Sequence, residues 1–469
     1  MINYPVKITV RNTDPQHMEF IAEMLLNRQL HRGLTRLTAD LKVAPDMAET
    51  IDVANEGKTY IFRLKNATFT DGTKLVAGDV VSTFRRMFAT RSAMASDFAL
   101  VKGATKALKD PKQSSALGIT ALGEKMVKFE LTEPSALFLI QLSLIDASII
   151  KVLPDSPTGK DRILGLGSYS VASITDQETV LVPRKDAELS NQGIRLVKVD
   201  SDQEAIELAK TGKLDSLENI DVGEAKVREL ETLGWRKTVT SSANMMFLIM
   251  NPKKVSKEVR AMVRDAILSS HELNAPIGYQ RQHGLIPNVF PGALSANDVK
   301  LNPAPKLNGK ITVALKYEAA SPLATDLANQ VKKLLNQCEI LLVPFKTEDY
   351  VTQLEKADFE IVLVSKGLEY PDGLSILSYF KSDLKSNYFF VHDKSIDRDL
   401  KKAASDPSVS SRVGIYRGLQ QKILAQNTLV PLVSGSSNLG LWSNRVSGIE
   451  PHPLGPATLD FTLLSKKVP

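Results

Sequence analysis

The chain has 469 residues, enough for two to three domains at roughly 150 residues each. Hydrophobic residues make up 43% and charged residues 24%, an ordinary globular composition with ample material for a core. Lys plus Arg is 59 and Asp plus Glu is 53, a net charge of +6. Spread over this length, that excess falls well short of a nucleic-acid footprint. The basic residues come in pairs, as in Lys253-Lys254 and Lys332-Lys333, and read as solvated faces.

Met1-Ile2-Asn3-Tyr4-Pro5 leads into Val6-Lys7-Ile8-Thr9-Val10, an alternating run that predicts a first strand. No long apolar stretch of signal-peptide type is present. The most apolar window, 136–153, contains Gln141, Asp146 and Lys151, which argues against a membrane span. The expectation is either a cytoplasmic protein or the mature part of an exported chain. Next, Tyr60, Phe62 and Leu64 alternate with Ile61 and Arg63, a half-buried strand. Asp71-Gly72 is a turn signal. A helix then begins at Asp79, with Val80, Val81, Phe84, Met87 and Phe88 at helical spacing. Asp79 in its first turn suits the positive end of the helix dipole. Turn and cap roles account for both aspartates.

Further on, Val259, Met262, Val263 and Ile267 form a helical stripe. Between 310 and 364 the pattern reads strand (311–315), helix (323–335), strand (339–343), helix (348–357), strand (359–364). Such alternation implies a parallel sheet with right-handed crossovers. Ligands sit beyond the carboxyl ends of strands in these sheets. The segment beyond the third strand is Ser365-Lys366-Gly367-Leu368-Glu369-Tyr370-Pro371-Asp372-Gly373. It combines a flexible glycine, two carboxylates, an aromatic ring and a proline turn, and is the first place to seek a ligand. A last helix over 411–425 carries Ile415, Leu419 and Ile423. Polar, proline-rich joints fall at 151–160 and 285–307.

Catalytic signatures are missing. The single cysteine, Cys338, excludes an internal disulfide and any Cys-based zinc or iron–sulfur site. It lies in a run, 338–343, that reads as a buried strand, where it acts as a small hydrophobe. The six histidines never form a His-Glu-x-x-His pattern, and His271-Glu272 continues with Leu273-Asn274-Ala275. No Gly-Lys pair ends a P-loop spacing. Gly165-Leu166-Gly167-Ser168-Tyr169-Ser170 lacks the third glycine of a dinucleotide fingerprint. No serine occupies a Gly-x-Ser-x-Gly elbow. Neither an enzyme nor a cofactor nor a metal is expected.

The run Thr59-Tyr60-Ile61-Phe62-Arg63-Leu64, followed by Phe69-Thr70-Asp71-Gly72-Thr73-Lys74-Leu75-Val76-Ala77-Gly78-Asp79-Val80-Val81, is similar to the signature of the family 5 extracellular solute-binding proteins. These are the peptide-type receptors of ABC importers. Asp14-Pro15, Arg32-Gly33-Leu34, Gly165-Leu166-Gly167-Ser168-Tyr169 and Phe247-Leu248-Ile249-Met250-Asn251 extend the resemblance over essentially the whole chain. It implies an α/β, two-lobed periplasmic-binding-protein fold of the cluster C type, with an extra domain on the first lobe and a hinge between lobes. Mapped here, the first lobe is 1–40, 163–243 and 433–469, the extra domain is 41–162, and the second lobe is 244–432. Crossovers fall near Asn244 and near Pro431-Leu432-Val433.

The resemblance also implies a site. The family's second-lobe loop reads Gly-Trp-x-x-Asp-Tyr before an acidic-proline turn. Its Asp holds a peptide's α-ammonium, and the backbone before it pairs with the peptide as a strand. Carried over, Glu369 takes the Asp position, Ser365 and Gly367 supply backbone groups, Tyr370 is the following aromatic, and Asp372 in the turn is a further ligand-binding candidate. Glu is one methylene longer than Asp, and Lys366 stands where Trp is usual. On the first lobe, gap-free matching puts Glu19 and Ile21 at cleft positions, and Asn219 ends a segment resembling one with a cleft asparagine. The implied function is capture of short peptides in the interlobe cleft by hinge closure, then delivery to an ABC permease in the cytoplasmic membrane. The protein is expected to be a monomer in the periplasm or on the outer face of that membrane, with a signal or lipid-anchor segment outside this chain. The departures at Lys366 and Glu369 leave open a non-peptide ligand: a nickel chelate, haem, an opine or an oligosaccharide. A cytoplasmic ligand-sensing domain of a regulator is the remaining alternative.

Overall fold

The computed structural model describes residues 1–469 except 154–161, 219, 221, 240–242, 277, 301–310, 347–348, 369, 383, 385–387, 436–438, 451, 453, 456–457 and 468–469. The chain folds into two units. One comprises Met1–Thr240 with Asn438–Pro469, the other Ser241–Ser437.

The first unit contains a four-stranded sheet in the order Ile2–Val6, Ile194–Lys198, Glu178–Pro183, Tyr169–Ile174. The first pair is parallel and the rest antiparallel. The first strand therefore precedes the expected one: Ile2, Tyr4 and Val6 form the buried face, and residues 7–14 follow as loop. Pro5 hid this strand. It is tolerated because the strand lies at a sheet edge, where one missing N–H costs no ladder bond. Helix Ile21–Leu30 packs nearby, and the Gly165/Gly167 pair lets the chain press against its end. A Cβ on Gly165 would sit 2.0 Å from the Leu30 carbonyl oxygen, and one on Gly167 2.2 Å from that of Gln29. This close approach, and not phosphate binding, explains the glycines.

A second sheet, Ala48–Ala54, Thr59–Leu64, Met126–Glu130, Ile119–Ala121, is antiparallel throughout. The expected alternation appears as Tyr60, Phe62 and Leu64 pointing inward. Helix Ala77–Ala89 shares a core with them through Val80, Phe84 and Met87. Asp79 caps it, its carboxylate accepting from the Val76 N–H at 2.9 Å. Asp71 closes the turn by accepting from the Thr73 N–H at 2.9 Å. Residues from Leu34 to Leu166 form their own core around edge-to-face rings such as Phe84 and Phe129.

The second unit is built on six strands: Tyr279–Arg281, Leu429–Gly435, Met245–Met250, Ile361–Lys366, Thr312–Glu318, Glu339–Phe345. The last three are the parallel set anticipated from 310–364, linked by helices Pro322–Leu334 and Tyr350–Glu355. Cys338 is buried, but the strand after it is only half-buried, with Leu341 and Val343 exposed. It is the sheet's edge. Its Ile340 packs into the core shared with helix Pro322–Leu334, and its outward face stays uncovered.

Candidate functional site

The antiparallel register pairs Met245 with Lys366 on one side and with Ser434 on the other. Three things therefore share one end of this sheet: the carboxyl end of strand Ile361–Lys366, the start of the central strand and the end of Leu429–Gly435. The Gly435 N–H donates to the Asn244 carbonyl at 2.9 Å. The loop 365–373 leaves the sheet at this end, which is also where the unit's chain enters and departs. Strand pairing with Thr312–Glu318 is confined to Leu315↔Ile361 and Lys316↔Val362. Parallel strands need helical crossovers, so a loop at their carboxyl end is a direct product of the 310–364 pattern.

Within the loop, Ser365 and Gly367 are exposed, and Lys366 and Tyr370 are half-buried. A side chain on Gly367 would come within 2.8 Å of Asn244 Oδ1. The Lys366 ammonium lies 3.9 Å from the Tyr379 ring centroid, a cation–π contact. The loop thus presents a cation resting on a ring from a neighbouring turn. Glu369 lies outside the described residues.

Asp372, expected among the ligand-binding groups, turns inward. It is 6% exposed. One carboxylate oxygen accepts from Arg412 Nη2 at 2.7 Å; the other accepts from the Tyr416 hydroxyl and from the Leu374 N–H at 2.9 Å. Arg412 also donates from Nε to the Tyr416 hydroxyl at 2.9 Å and from Nη1 to the Asp406 carbonyl at 2.7 Å. Burial, reinforced by the Asp372 carboxylate, pushes the Tyr416 phenol well above its ordinary pKa. Arg412 and Tyr416 are four apart on helix Val409–Leu424 and so share a face. The sequence reading saw only the apolar residues there and missed this anchor. An i,i+4 Arg/Tyr pair beside that stripe was its one available signal.

In the first unit, Glu19 and Ile21 flank Phe20 at the start of helix Ile21–Leu30. All three are exposed, Ile21 at 62% and Phe20 at 51%. The backbone here is clamped from below. Buried Glu23 accepts the Glu19 N–H at 2.7 Å and the Phe20 N–H at 3.3 Å. Asn219 lies outside the described residues. In the stretch before it, Asp215 is fully buried and paired with Arg445 at 2.9 Å and Lys466 at 2.7 Å. Glu218 accepts from Trp442 Nε1 at 2.9 Å, and its burial raises its pKa.

Among the described residues, no group of three or more His, Cys, Asp or Glu is arranged to hold a metal ion. Among the same described residues, no helix is long and apolar enough to cross a membrane.

Comparison with known proteins covers nearly the whole chain. The dipeptide-binding protein DppE of Bacillus subtilis (strain 168) is 20% identical over 460 residues, spanning 90% of this chain and 84% of that protein. The periplasmic oligopeptide-binding protein OppA of Escherichia coli (strain K12) is 20% identical over 473 residues, spanning 90% and 85%. Among solved structures, the unliganded open form of the periplasmic murein tripeptide binding protein MppA covers 99% of this chain and 97% of its own, at 16% identity and a TM-score of 0.81. HbpA2 from Haemophilus parasuis covers 100% of both at 14% identity and a TM-score of 0.79. These likenesses establish the two-lobed α/β fold. The model of the bacterial extracellular solute-binding proteins, family 5 Middle, matches residues 42–388, which include the Tyr60–Val81 signature and the loop at 365–373. The chain belongs to the bacterial extracellular solute-binding proteins, family 5.

Proposed function

We propose that this protein captures short peptides outside the cytoplasm and hands them to an ABC permease, with no chemical step. The observation that carries the reading is the placement of loop 365–373 at the carboxyl end of the parallel strands, where α/β sheets bind ligands, held there by the buried Asp372–Arg412 pair. Main-chain pairing by the residues around Ser365 and Gly367 would bind a peptide without reading its sequence, and Glu369 would meet its ammonium. The relatives' names, dipeptide-binding and oligopeptide-binding, support this reading, as does the murein tripeptide binding protein among the structural neighbours. The separate core spanning Leu34 to Leu166 supports taking 41–162 as an added domain within the first lobe.

Native mass spectrometry of the purified protein, followed by denaturing release of bound molecules, tests the proposal. A ladder of masses resolving into short peptides is the expected result and gives the length range. A single non-peptide mass would overturn the peptide reading and direct attention to Lys366 on Tyr379 as the adapted feature.

A further inference from the structure

Sheet edges are ordinarily blunted by charge, proline, a bulge or brevity, and most edges in this protein are. Ala48–Ala54 carries Glu49 and Asp52, and Tyr169–Ile174 is broken by a bulge between Val171 and Ser173. Ile119–Ala121 and Tyr279–Arg281 are short. The edge strand Glu339–Phe345 in the second unit is different. Its run Ile340-Leu341-Leu342-Val343 has no polar side chain, and only Pro344 interrupts it. Among the described residues it pairs on one side alone, with Thr312–Glu318. On its uncovered face Leu341 is 48% exposed and Val343 37%.

The backbone decides which groups this edge offers. The Glu339 N–H donates to the Ile311 carbonyl at 2.8 Å, and the Phe345 carbonyl accepts from the Ala319 N–H at 3.0 Å. Odd-numbered residues therefore bond inward to the neighbouring strand. Successive residues of a strand bond to opposite sides, so Ile340 and Leu342 turn both N–H and C=O outward, and Pro344 its C=O. Charge is confined to the two ends, with Glu339 at the start and Lys346 just after Phe345. A parallel strand of the same sequence would set like charges side by side. An antiparallel one sets the Glu339 end of one strand beside the Lys346 end of the other. Opposite charges across strands stabilise a pair and like charges destabilise it.

We infer that strand Glu339–Phe345 is a self-association surface, which a second copy of this chain pairs antiparallel about a two-fold axis at Leu342. In that register the Leu342 N–H and C=O exchange bonds with those of the second copy's Leu342, and each Ile340 N–H meets a Pro344 C=O. On the uncovered face Leu341 of each copy lies directly opposite Val343 of the other, with Cβ atoms about 4.5–5.5 Å apart. The contact is isologous, as two-fold interfaces are. This pairing is independent of peptide binding and takes the place of the monomer expected from the family resemblance.

Size-exclusion chromatography with light scattering, run on the full chain over a dilution series, tests it. A dimer that dissociates on dilution is the expected result. Leu341→Lys and Val343→Glu should each raise the dissociation constant about tenfold or more, since each sets a charge against an apolar partner. The double variant Leu341→Lys/Val343→Glu should recover most of the association, because each introduced ammonium then faces an introduced carboxylate across the axis. Both positions are exposed, so thermal melts of the variants should match that of the wild type. A monomer at every concentration overturns the inference. So does a dimer that survives both single variants, or a double variant no tighter than the singles.

Discussion

Arg412 Nη2 lies 2.7 Å from Asp372 Oδ2, and the two side chains are 1% and 6% exposed. This buried pair ties the candidate ligand loop to helix Val409–Leu424, 40 residues further along the chain. Removing one partner of such a pair strands the other charge, at a typical cost of about 3–5 kcal/mol. Asp372→Ala should therefore lose stability of that order in urea denaturation. The double variant Asp372→Ala/Arg412→Met should recover much of the loss, since no unpaired charge remains. A double variant as unstable as the single would show that the pair is not what holds the loop.

Glu369 precedes the anchored Asp372 by three residues in the sequence, and its proposed role is to meet a ligand ammonium. Truncating a buried, hydrogen-bonded charge partner costs about 2–5 kcal/mol, roughly 30- to several-thousand-fold in affinity. Glu369→Ala should weaken free-amine peptides by that factor and N-acetylated peptides far less, measured by calorimetry. Equal losses would refute the ammonium role.

Two glycines make a matched test of packing. A Cβ at Gly167 would lie 2.2 Å from the Gln29 carbonyl oxygen and 2.7 Å from that of Leu30. Both are backbone atoms and cannot swing away. Gly167→Ala should cost about 1–3 kcal/mol. Gly78, in the first turn of helix Ala77–Ala89, has nothing within 4 Å of its built Cβ. Gly78→Ala should gain up to about 1 kcal/mol. Thermal denaturation of the two variants should shift in opposite directions.

Burial of His31 lowers its pKa from 6.5 to about 4, only partly offset by its bond to the Thr13 carbonyl at 2.9 Å and by the nearby Asp14. Between those two pH values the unfolded chain binds the proton and the folded one does not. Stability contributed by the neutral ring is thus complete above about pH 6.5 and drains away as pH falls toward 4, by about 3 kcal/mol in all. Asp146 works the other way: burial raises its pKa to about 6, so its contribution is lost as pH rises from its ordinary value through 6. The difference in stability between wild type and His31→Gln isolates the histidine, and it should shrink as pH drops from 7 to 4. A difference that stays constant across that range would show that His31 does not titrate as its burial implies.

Local periodicity made much of this architecture readable. The Tyr60–Leu64 alternation, the Asp79 cap and the strand–helix alternation of 310–364 each depend on neighbours within a few residues, so the chain itself carries their signal. So does the position of loop 365–373, because a parallel strand must release its chain at the carboxyl end. Where several residues must meet from afar, the chain carries no such signal.

The first strand was obscured because Pro5 is acceptable only at a sheet edge, and edge status is a property of the assembled sheet. Leu341 and Val343 looked like core because their hydrophobicity is visible but the missing neighbour is not. Asp372 read as a ligand group in sequence and became an anchor only when Arg412 arrived beside it. Asp215 likewise needs Arg445 and Lys466, 230 and 251 residues away, before its burial makes sense. Family, elements and loop placement were thus settled by short-range pattern. Which carboxylates face inward was decided by tertiary structure, since a charge can be buried only where the fold delivers its counter-charge.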